Sequence, residues 1–356
     1  MTGKFELRHN VPLAPMTTLG IGGNARYFVK AETESQIADA VHFAGENDLD
    51  LFVLGGGSNV LISDQGVDGL VLQVAIKGME HSETESTQDT SLITAGAGEE
   101  WDAFVAHCVG HGLAGVECLS GIPGFVGGTP VQNVGAYGQE VAETIFSVRC
   151  FDRKTCDFVT LSNTDCGFTY RTSIFNSNDR ERYIVLSVTY QLTHGGKPKI
   201  AYKDLIDHFG DRQPSLVEVR DVVLSVRRTK SMVIDEGDPN SRSAGSFFKN
   251  PIVDVDKLEQ IRNDFERVPY FDFGDKVKIP AAWLIENAGF NKGFAFHNAG
   301  ISTKHTLALV NRGGATAAEI VALKENIQAA VAAKFDIELQ PEPVFVGFDS
   351  QKIVGR

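Results

Sequence analysis

Chemistry in this chain is first sought at three polar side chains set in restrictive company. Ser246 lies in "SAGSFFKNP", between a glycine and two phenylalanines. Arg171 lies in "FTYRTSIF", among aromatic and β-branched residues, where a charge needs a reason to be. Glu342 lies in "LQPEPVF", its backbone restrained by a proline on each side. Each also has a plain structural use. Ser246 could cap a main-chain N–H, Arg171 could close a salt bridge, and Glu342 could be a solvated carboxylate at a strand edge. A nucleophilic serine is the weakest reading. Gly245-Ser246 lacks the second glycine of a G-x-S-x-G elbow, and no histidine stands nearby in sequence.

Two glycine-rich loops suggest where a ligand lies. In "LGGGSNV", Gly55, Gly56 and Gly57 follow a strand and lead to Ser58 and Asn59. A Rossmann reading fails because Val60 replaces the third glycine and the next residues continue as strand rather than helix. Such a turn still lets backbone N–H groups converge on an anion; its plain alternative is a glycine hairpin. The second loop, "SGIPGFVGGTPVQNVGAYG", is too long and glycine-rich for a simple connection. Gly121, Gly124, Gly127 and Gly128 allow main chain to press on a bulky group. Gln132 and Asn133 can hydrogen-bond the edge of a heterocycle, and Tyr137 offers a ring and a hydroxyl. Together the loops suit one extended ligand with a diphosphate and a flat ring; the alternative is a pair of unrelated turns. "VRRTK" adds Arg227, Arg228 and Lys230, and "FFKN" adds Lys249 and Asn250, though the first also suits a basic helix C-terminus. His107 and His111 lie one helical turn apart, but no glutamate completes H-E-x-x-H, so they read as ordinary helix-surface residues.

The surrounding pattern supplies the elements that must hold these groups. "ETESQIADAVHFAGEN" reads as a helix with a Thr33–Gln36 capping box and Ile37, Val41 and Ala44 on one face. "EEWDAFVAHCVGHG" and "SLVEVRDVVLSVRRTK" read as helices, and "PAAWLIENAG" as a short helix that starts with Pro280 as its first helical residue and ends at Gly289. "TAAEIVALKENIQAAVAAKF" has a Thr316–Glu319 capping box and an apolar stripe. Strands are expected at "LDLFVL", "GLVLQV", "SLITAGAG", "TIFSVRCFD", "RYIVLSVTYQL", "HTLALVN" and "IELQPEPVFVGF".

Composition narrows the function classes. At 356 residues and 42% hydrophobic, the chain can bury more than one core. A net charge of −13 excludes a general nucleic-acid or anionic-membrane surface, so an anionic ligand must be met by local cations. No apolar run has the length of a membrane span, and "MTGKFELRHN" lacks the apolar core of a signal peptide. Five cysteines, none in C-x-x-C spacing, argue against a secreted disulfide framework. The expectation is a cytoplasmic, reduced protein without a metal site.

Six motifs in order carry a family resemblance: "LGGGSNVLISD", "IPGFVGGTPVQNVGAYG", "FTYRTSIF", "AGSFFKNP", "PAAWLIE" and "LQPEPVFVG". The chain resembles the UDP-N-acetylenolpyruvoylglucosamine reductases (MurB) of bacterial peptidoglycan synthesis, from Thr17 to Gly347. The resemblance implies an α+β protein: an FAD-binding core of the vanillyl-alcohol-oxidase type, in two α/β subdomains, and a separate α+β substrate-binding domain. The implied division is 1–79 with 335–356, then 80–230, then 231–334. By resemblance, Gly55, Gly56, Gly57, Ser58 and Asn59 hold the FAD diphosphate. Gly121, Ile122, Pro123, Gly124, Gly127, Gly128, Gln132, Asn133, Gly135, Ala136, Tyr137 and Gly138 wrap the rest of the flavin, with Arg227 nearby. Some flavoproteins with this core attach FAD through a histidine near the first turn. Here Ser58 stands in a turn without histidine, so FAD is expected bound and not bonded.

The implied reaction reduces an enol ether bearing a carboxylate, with NADPH as reductant. Hydride is the cofactor's contribution. Charge building on the carboxylate needs a fixed cation or proton donor, and the second carbon needs a positioned acid. The resemblance makes Arg171 the stabiliser of the enediolate, Glu342 its catalytic companion and Ser246 the proton donor. It places Tyr202, Lys230, Lys249 and Asn250 at the UDP-sugar, and Tyr202 in the insert of the longer type of the family. Two residues depart from the family pattern: Gln340 where a glutamate is expected, and His305 at a polar substrate contact. A monomer without nucleic-acid or membrane partner is expected. The alternatives are a flavin oxidase with another substrate on the same core, and a non-catalytic flavin-binding protein.

Overall fold

The computed structural model describes residues 5–82 and 89–348. The described residues form two units that interleave along the sequence. The first takes those through Val11, Ala25–Gly57 and Asp68–Val233; the second takes Pro12–Asn24, Ser58–Val67 and those from Ile234 onward. The sequence-based division had three parts, and its outermost residues, 1–4 and 349–356, lie outside the described residues.

The first unit contains two sheets. Arg8–Pro12, Asn24–Ala31, Val67–Val74 and Leu51–Leu54 form one in that order, with the last two strands parallel and Leu51 opposite Leu70. Helix α1 (Glu34–Glu46) buries Ile37, Ala40 and Ala44, the stripe its spacing predicts with Ala40 in place of Val41 as a fully buried member. Thr33 caps it by accepting from Gln36 N–H. The capping box is half made, because the Gln36 side chain accepts from Glu32 N–H instead. The larger sheet runs Asp157–Ser162, Ile145–Asp152, Tyr183–His194, Thr90–Gly96, Met79–Ser82. Helix α2 (Trp101–Gly110) buries Trp101 and Phe104, whose rings stack with Tyr190 of the sheet at 5.8 and 4.7 Å. Helices α3 (Lys203–Phe209) and α4 (Leu216–Thr229) enclose a small core of Cys118, Leu205, Phe209, Val219 and Val223.

The second unit has its own core around Phe247, Phe248, Ile279, Leu284, Leu309 and Ile327. Ile252–Asp254, Lys276–Lys278 and Phe271–Phe273 form one small sheet, and Ala295–Phe296, Ala299–Ile301 and Leu309–Asn311 another. Val344–Val346 pairs in parallel with Val60–Ile62. Helices α5 (Val255–Arg262), α6 (Ala281–Asn287) and α7 (Ala317–Phe335) complete it. The Thr316–Glu319 capping box is complete, and both Asp64 carboxylate oxygens accept from the Ala317 and Ala318 N–H groups at 2.7 and 3.0 Å.

Three sequence expectations change. Pro280 is the residue before α6 rather than its first helical position. "HTLALVN" is strand only at Leu309–Asn311, since the hydroxyl of Ser302 accepts from the N–H groups of Lys304 and His305 and folds that stretch into a loop. "IELQPEPVFVGF" is strand only at Val344–Val346, because Pro341 and Pro343 have no N–H to give a ladder. All five cysteines are free, and burial pushes the Cys108 and Cys166 thiols up to about 12, which leaves them poor nucleophiles. Among the described residues, no helix is long and apolar enough to cross a membrane.

Candidate functional site

In the first unit the two glycine loops meet. A Cβ on Gly56 would stand 2.7 Å from Gly124 Cα and 2.9 Å from Phe125 N, so only hydrogen fits between these backbones. The hairpin alternative for the first turn does not hold: Leu51–Leu54 pairs with Val67–Val74, whereas Val60–Ile62 pairs with Val344–Val346. The second loop is fastened along its length. Trp101 N–H donates to Gly124 O (3.0 Å), Val126 N–H to Glu99 O (2.8 Å) and Gly127 N–H to Ala97 O (2.9 Å). Gly127 lies so close to Ala97 that a Cβ would stand 2.5 Å from the alanine methyl. Positions corresponding to a Cβ on Gly55 and Gly128 have no atom within 4 Å, so the two glycines border space. Ile122, Pro123, Gln132, Gly135 and Ala136 are half-buried along this loop, and Gly138 is exposed.

Gly121 begins the loop with φ of 71°. Its N–H donates to Asp102 Oδ1 at 2.6 Å, and Asp102 is gripped by both Nη atoms of Arg220 from α4 at 2.6 and 2.8 Å. Burial would raise the Asp102 carboxyl, but Arg220 and the Gly121 N–H outweigh it and hold it below the usual range. Behind Gly121 lies Arg227, buried, its Nη2 donating to Met232 O at 2.6 Å. Burial pushes its guanidinium pKa down, and its Nε has no hydrogen-bond partner. A buried donor without a partner is costly and marks a place where a ligand or water is expected.

Tyr137 and Gly138 form the tip between Gly135–Ala136 and Gln139–Glu140, both with positive φ (50° and 81°). Burial raises the Tyr137 phenol against the pull of Arg227 and Lys230. Its ring meets Tyr202 edge-on at 5.3 Å, and Lys230 Nζ lies 5.9 Å from its centroid. Burial works against the Lys230 ammonium, yet the hydrogen bond to Asp204 Oδ2 (2.7 Å) and nearby Tyr137 raise its pKa overall. Arg171 takes a left-handed φ of 54° and donates from Nη2 to Gly135 O at 2.6 Å, tying its guanidinium to the same loop. The Asn133 side chain also holds the loop itself. Its Nδ2 donates to Glu140 Oε2 (2.8 Å) and Thr169 O (3.0 Å), and its Oδ1 accepts from Ala142 N–H (3.1 Å), so its side chain folds the loop.

The second unit gathers another group. Phe247 and Phe248 are fully buried and anchor the segment that carries Ser246. Glu342 N–H donates to Phe247 O (2.9 Å) and Lys249 N–H donates to Gln340 O (2.9 Å), so Ser246 and Glu342 leave adjacent backbone segments. Asn59 Nδ2 donates to Glu342 O at 3.3 Å, and the Ser58 carbonyl accepts from Thr18 Oγ1 at 3.5 Å. Ser246 Oγ lies 3.4 Å from His305 Nε2. Lys249 is half-buried, while Asn250 Oδ1 accepts from Ala281 N–H at the start of α6 (2.9 Å). Gln340 is exposed. Sequence reasoning missed Asp102, Arg220 and Asp204, since a charge on a helix carries no sign of its distant partner.

His107 and His111 gain a neighbour: His81 Nε2 lies 3.0 Å from His107 Nε2. Among the described residues no group of three or more His, Cys, Asp or Glu could hold a metal ion.

Residues 25–162 match the family model "FAD binding domain", and residues 238–346 match "UDP-N-acetylenolpyruvoylglucosamine reductase, C-terminal domain". The chain is 46% identical over 360 residues to the UDP-N-acetylenolpyruvoylglucosamine reductase of Thermobifida fusca, covering 98% of this chain and 99% of the relative. It belongs to the UDP-N-acetylenolpyruvoylglucosamine reductase family. The Streptomyces coelicolor reductase is 43% identical over 353 residues, 95% of this chain and 90% of that one. The solved Thermus caldophilus reductase superposes with a TM-score of 0.64 at 24% identity, covering 96% of this chain and 99% of its own, which shows a shared fold. The expected architecture, an FAD-binding domain and a separate reductase domain, both mixed α/β, therefore holds.

The residues fit the cofactor of the family. Gly56 passes Gly124 with no room for a side chain, Gly55 and Gly128 border space, and Arg227 Nε is a buried donor without a partner. Open glycine backbone and a buried guanidinium donor suit an anionic cofactor such as FAD.

Proposed function

We infer that this reductase converts UDP-N-acetylglucosamine enolpyruvate to UDP-N-acetylmuramate with NADPH, a step in peptidoglycan precursor synthesis. The likeness over nearly the full chain to a reductase of that name carries the reading. When bound, FAD would supply the hydride chemistry that links NADPH to one alkene carbon of the enol ether. The Gly55–Gly57 turn and the 121–138 loop hold FAD, and Arg227 donates to it. Ser58 stands in a turn without histidine, which supports bound rather than bonded FAD.

Arg171 stabilises the negative charge that develops on the substrate carboxylate. Its tie to Gly135 O fixes the guanidinium before charge appears, so little reorganisation is needed at the reaction step. Glu342 acts with it on the same carboxylate. Ser246 Oγ–H gives its proton to the second carbon. Lys230, Lys249 and Asn250 meet the UDP diphosphate, and Tyr202 closes over the substrate. The presence of Tyr202, exposed and edge-on to Tyr137, supports the longer type of the family. The protein is read as a cytoplasmic monomer.

The test is direct. The purified protein should be yellow and should consume NADPH only when UDP-N-acetylglucosamine enolpyruvate is added. A colourless protein that takes up no FAD would sink the reading. Rapid reoxidation by oxygen without the sugar nucleotide would favour a flavin oxidase on the same core. Ser246→Ala should leave flavin reduction by NADPH nearly normal and slow reoxidation by substrate by about 100-fold or more, the scale of lost general-acid catalysis. Equal loss in both half-reactions would remove Ser246 as proton donor.

A further inference from the structure

A serine hydroxyl is a weak acid, and the role given to Ser246 requires that its oxygen be able to carry charge once the proton has left. We propose that His305 is a positioning residue for this step: its Nε2–H donates to Ser246 Oγ and stabilises the serine alkoxide. The inference rests on the proton-donor reading of Ser246 and deepens it.

The geometry is local to the second unit. Ser246 Oγ and His305 Nε2 are 3.4 Å apart, and both residues are half-buried. That separation is at the long end for a hydrogen bond, and catalytic hydrogen bonds commonly tighten in the substrate complex. Neither partner is placed by a loose segment. Gly245 takes φ of 69°, and Phe247 N–H donates to Leu307 O at 2.7 Å, which docks the serine segment on the histidine loop. The buried Ser302 hydroxyl accepts from Lys304 N–H (3.1 Å) and His305 N–H (3.3 Å). Ser302 N–H donates to Ala308 O (2.9 Å), and Ala308 N–H donates to His305 O (3.1 Å), closing the loop on itself. Thr306 Oγ1 is hydrogen-bonded to Glu286 of α6. The neighbouring charged groups are Lys304, paired with Asp238 at 2.9 Å, Glu286, held by Thr306, and Lys249 and Glu342 on the segments beside Ser246.

The step balances. The Ser246 O–H bond breaks as the proton forms a C–H bond with the electron-rich carbon of the reduced substrate. The electron pair stays on Oγ, where the Nε2–H donates to it, and water then returns a proton to Oγ. This arrangement differs from a serine nucleophile, in which histidine takes the proton from the hydroxyl before attack.

His305→Gln and His305→Met separate donation from packing, since the two side chains are similar in length and only the glutamine amide can donate. On flavin-loaded enzyme, stopped-flow absorbance follows flavin reduction by NADPH and reoxidation by substrate separately. His305→Met should slow reoxidation by about 100-fold, the scale of removing one donor from a developing oxyanion, while flavin reduction changes far less. His305→Gln should recover most of that loss. In a Ser246→Ala background, His305→Met should add nothing further to the reoxidation defect. The inference is overturned if Gln is no better than Met, if both half-reactions fall together, or if His305→Met is equally harmful without Ser246. Ser246→Ala alone tests the proton-donor reading. If that variant slows reoxidation selectively while the His305 comparison fails, the reading stands and this inference falls.

Discussion

Arg171, proposed to meet the charge that develops on the substrate, is fixed by its surroundings. A non-glycine residue at φ of 54° is costly unless its surroundings hold it. Here the guanidinium donates to Gly135 O, and Asn176 Nδ2 donates back to Arg171 O at 3.1 Å. Lysine would keep the charge but lacks the planar fork that reaches the loop carbonyl and a carboxylate together. Arg171→Lys is expected to lower kcat by about 100-fold, with a smaller change in KM, because the lost stabilisation belongs to the transition state. Steady-state kinetics with the enolpyruvyl substrate checks this; a rise in KM with kcat unchanged would assign Arg171 to ordinary substrate binding.

At the scale of elements, the two glycine loops depend on two devices. One is the absence of side chains where Gly56 passes Gly124. Gly56→Ala would force backbone apart and is expected to cost about 1–3 kcal/mol and to weaken FAD retention, measurable by urea unfolding and by bound-flavin absorbance. A variant as stable and as yellow as the parent would contradict the close approach. The other device is Asp102, which joins α2 to α4 through Arg220 and holds the Gly121 N–H. Its folded pKa lies below its unfolded value. Its stabilisation is therefore fully present above the unfolded pKa near 3.8 and is lost as pH falls through the lower folded one. Asp102→Asn should be less stable than the parent at pH 7, and the gap should narrow in acid below pH 4. Chemical unfolding at the two pH values gives the comparison, and a constant gap would deny Asp102 this role.

At the scale of the molecule, each unit has its own core, and the glycine cradle with Arg227 belongs to the first. A ligand that binds only the folded state raises stability by mass action, by about 2.7 kcal/mol at a hundredfold excess over Kd. Stripping FAD should therefore lower the melting temperature by several degrees, and adding it back should restore it in a concentration-dependent way. Calorimetry on stripped and reloaded protein measures this. No shift with added FAD would argue against a cofactor held by the first unit. The net charge of −13 means that polyanions must be met by local cations, the role proposed for Lys230, Lys249 and Arg227.

By itself the sequence determined the helices with strong caps and stripes, such as α7, because capping and periodicity are local properties of a few neighbouring residues. It also determined the family, since six motifs in order leave little room for coincidence, and from the family the cofactor and reaction followed. What it left open were matters of pairing across distance. Only the tertiary structure placed Gly56 against Gly124, spent the Asn133 amide on loop folding, left Arg227 Nε buried without a partner, and brought His305 beside Ser246. In "SAGSFFKNP" no histidine stands near the serine. The histidine arrives from a loop 59 residues away because Ser302 and Phe247 fold that loop against it. Contacts of this kind depend on where backbone segments dock, and no local pattern encodes them.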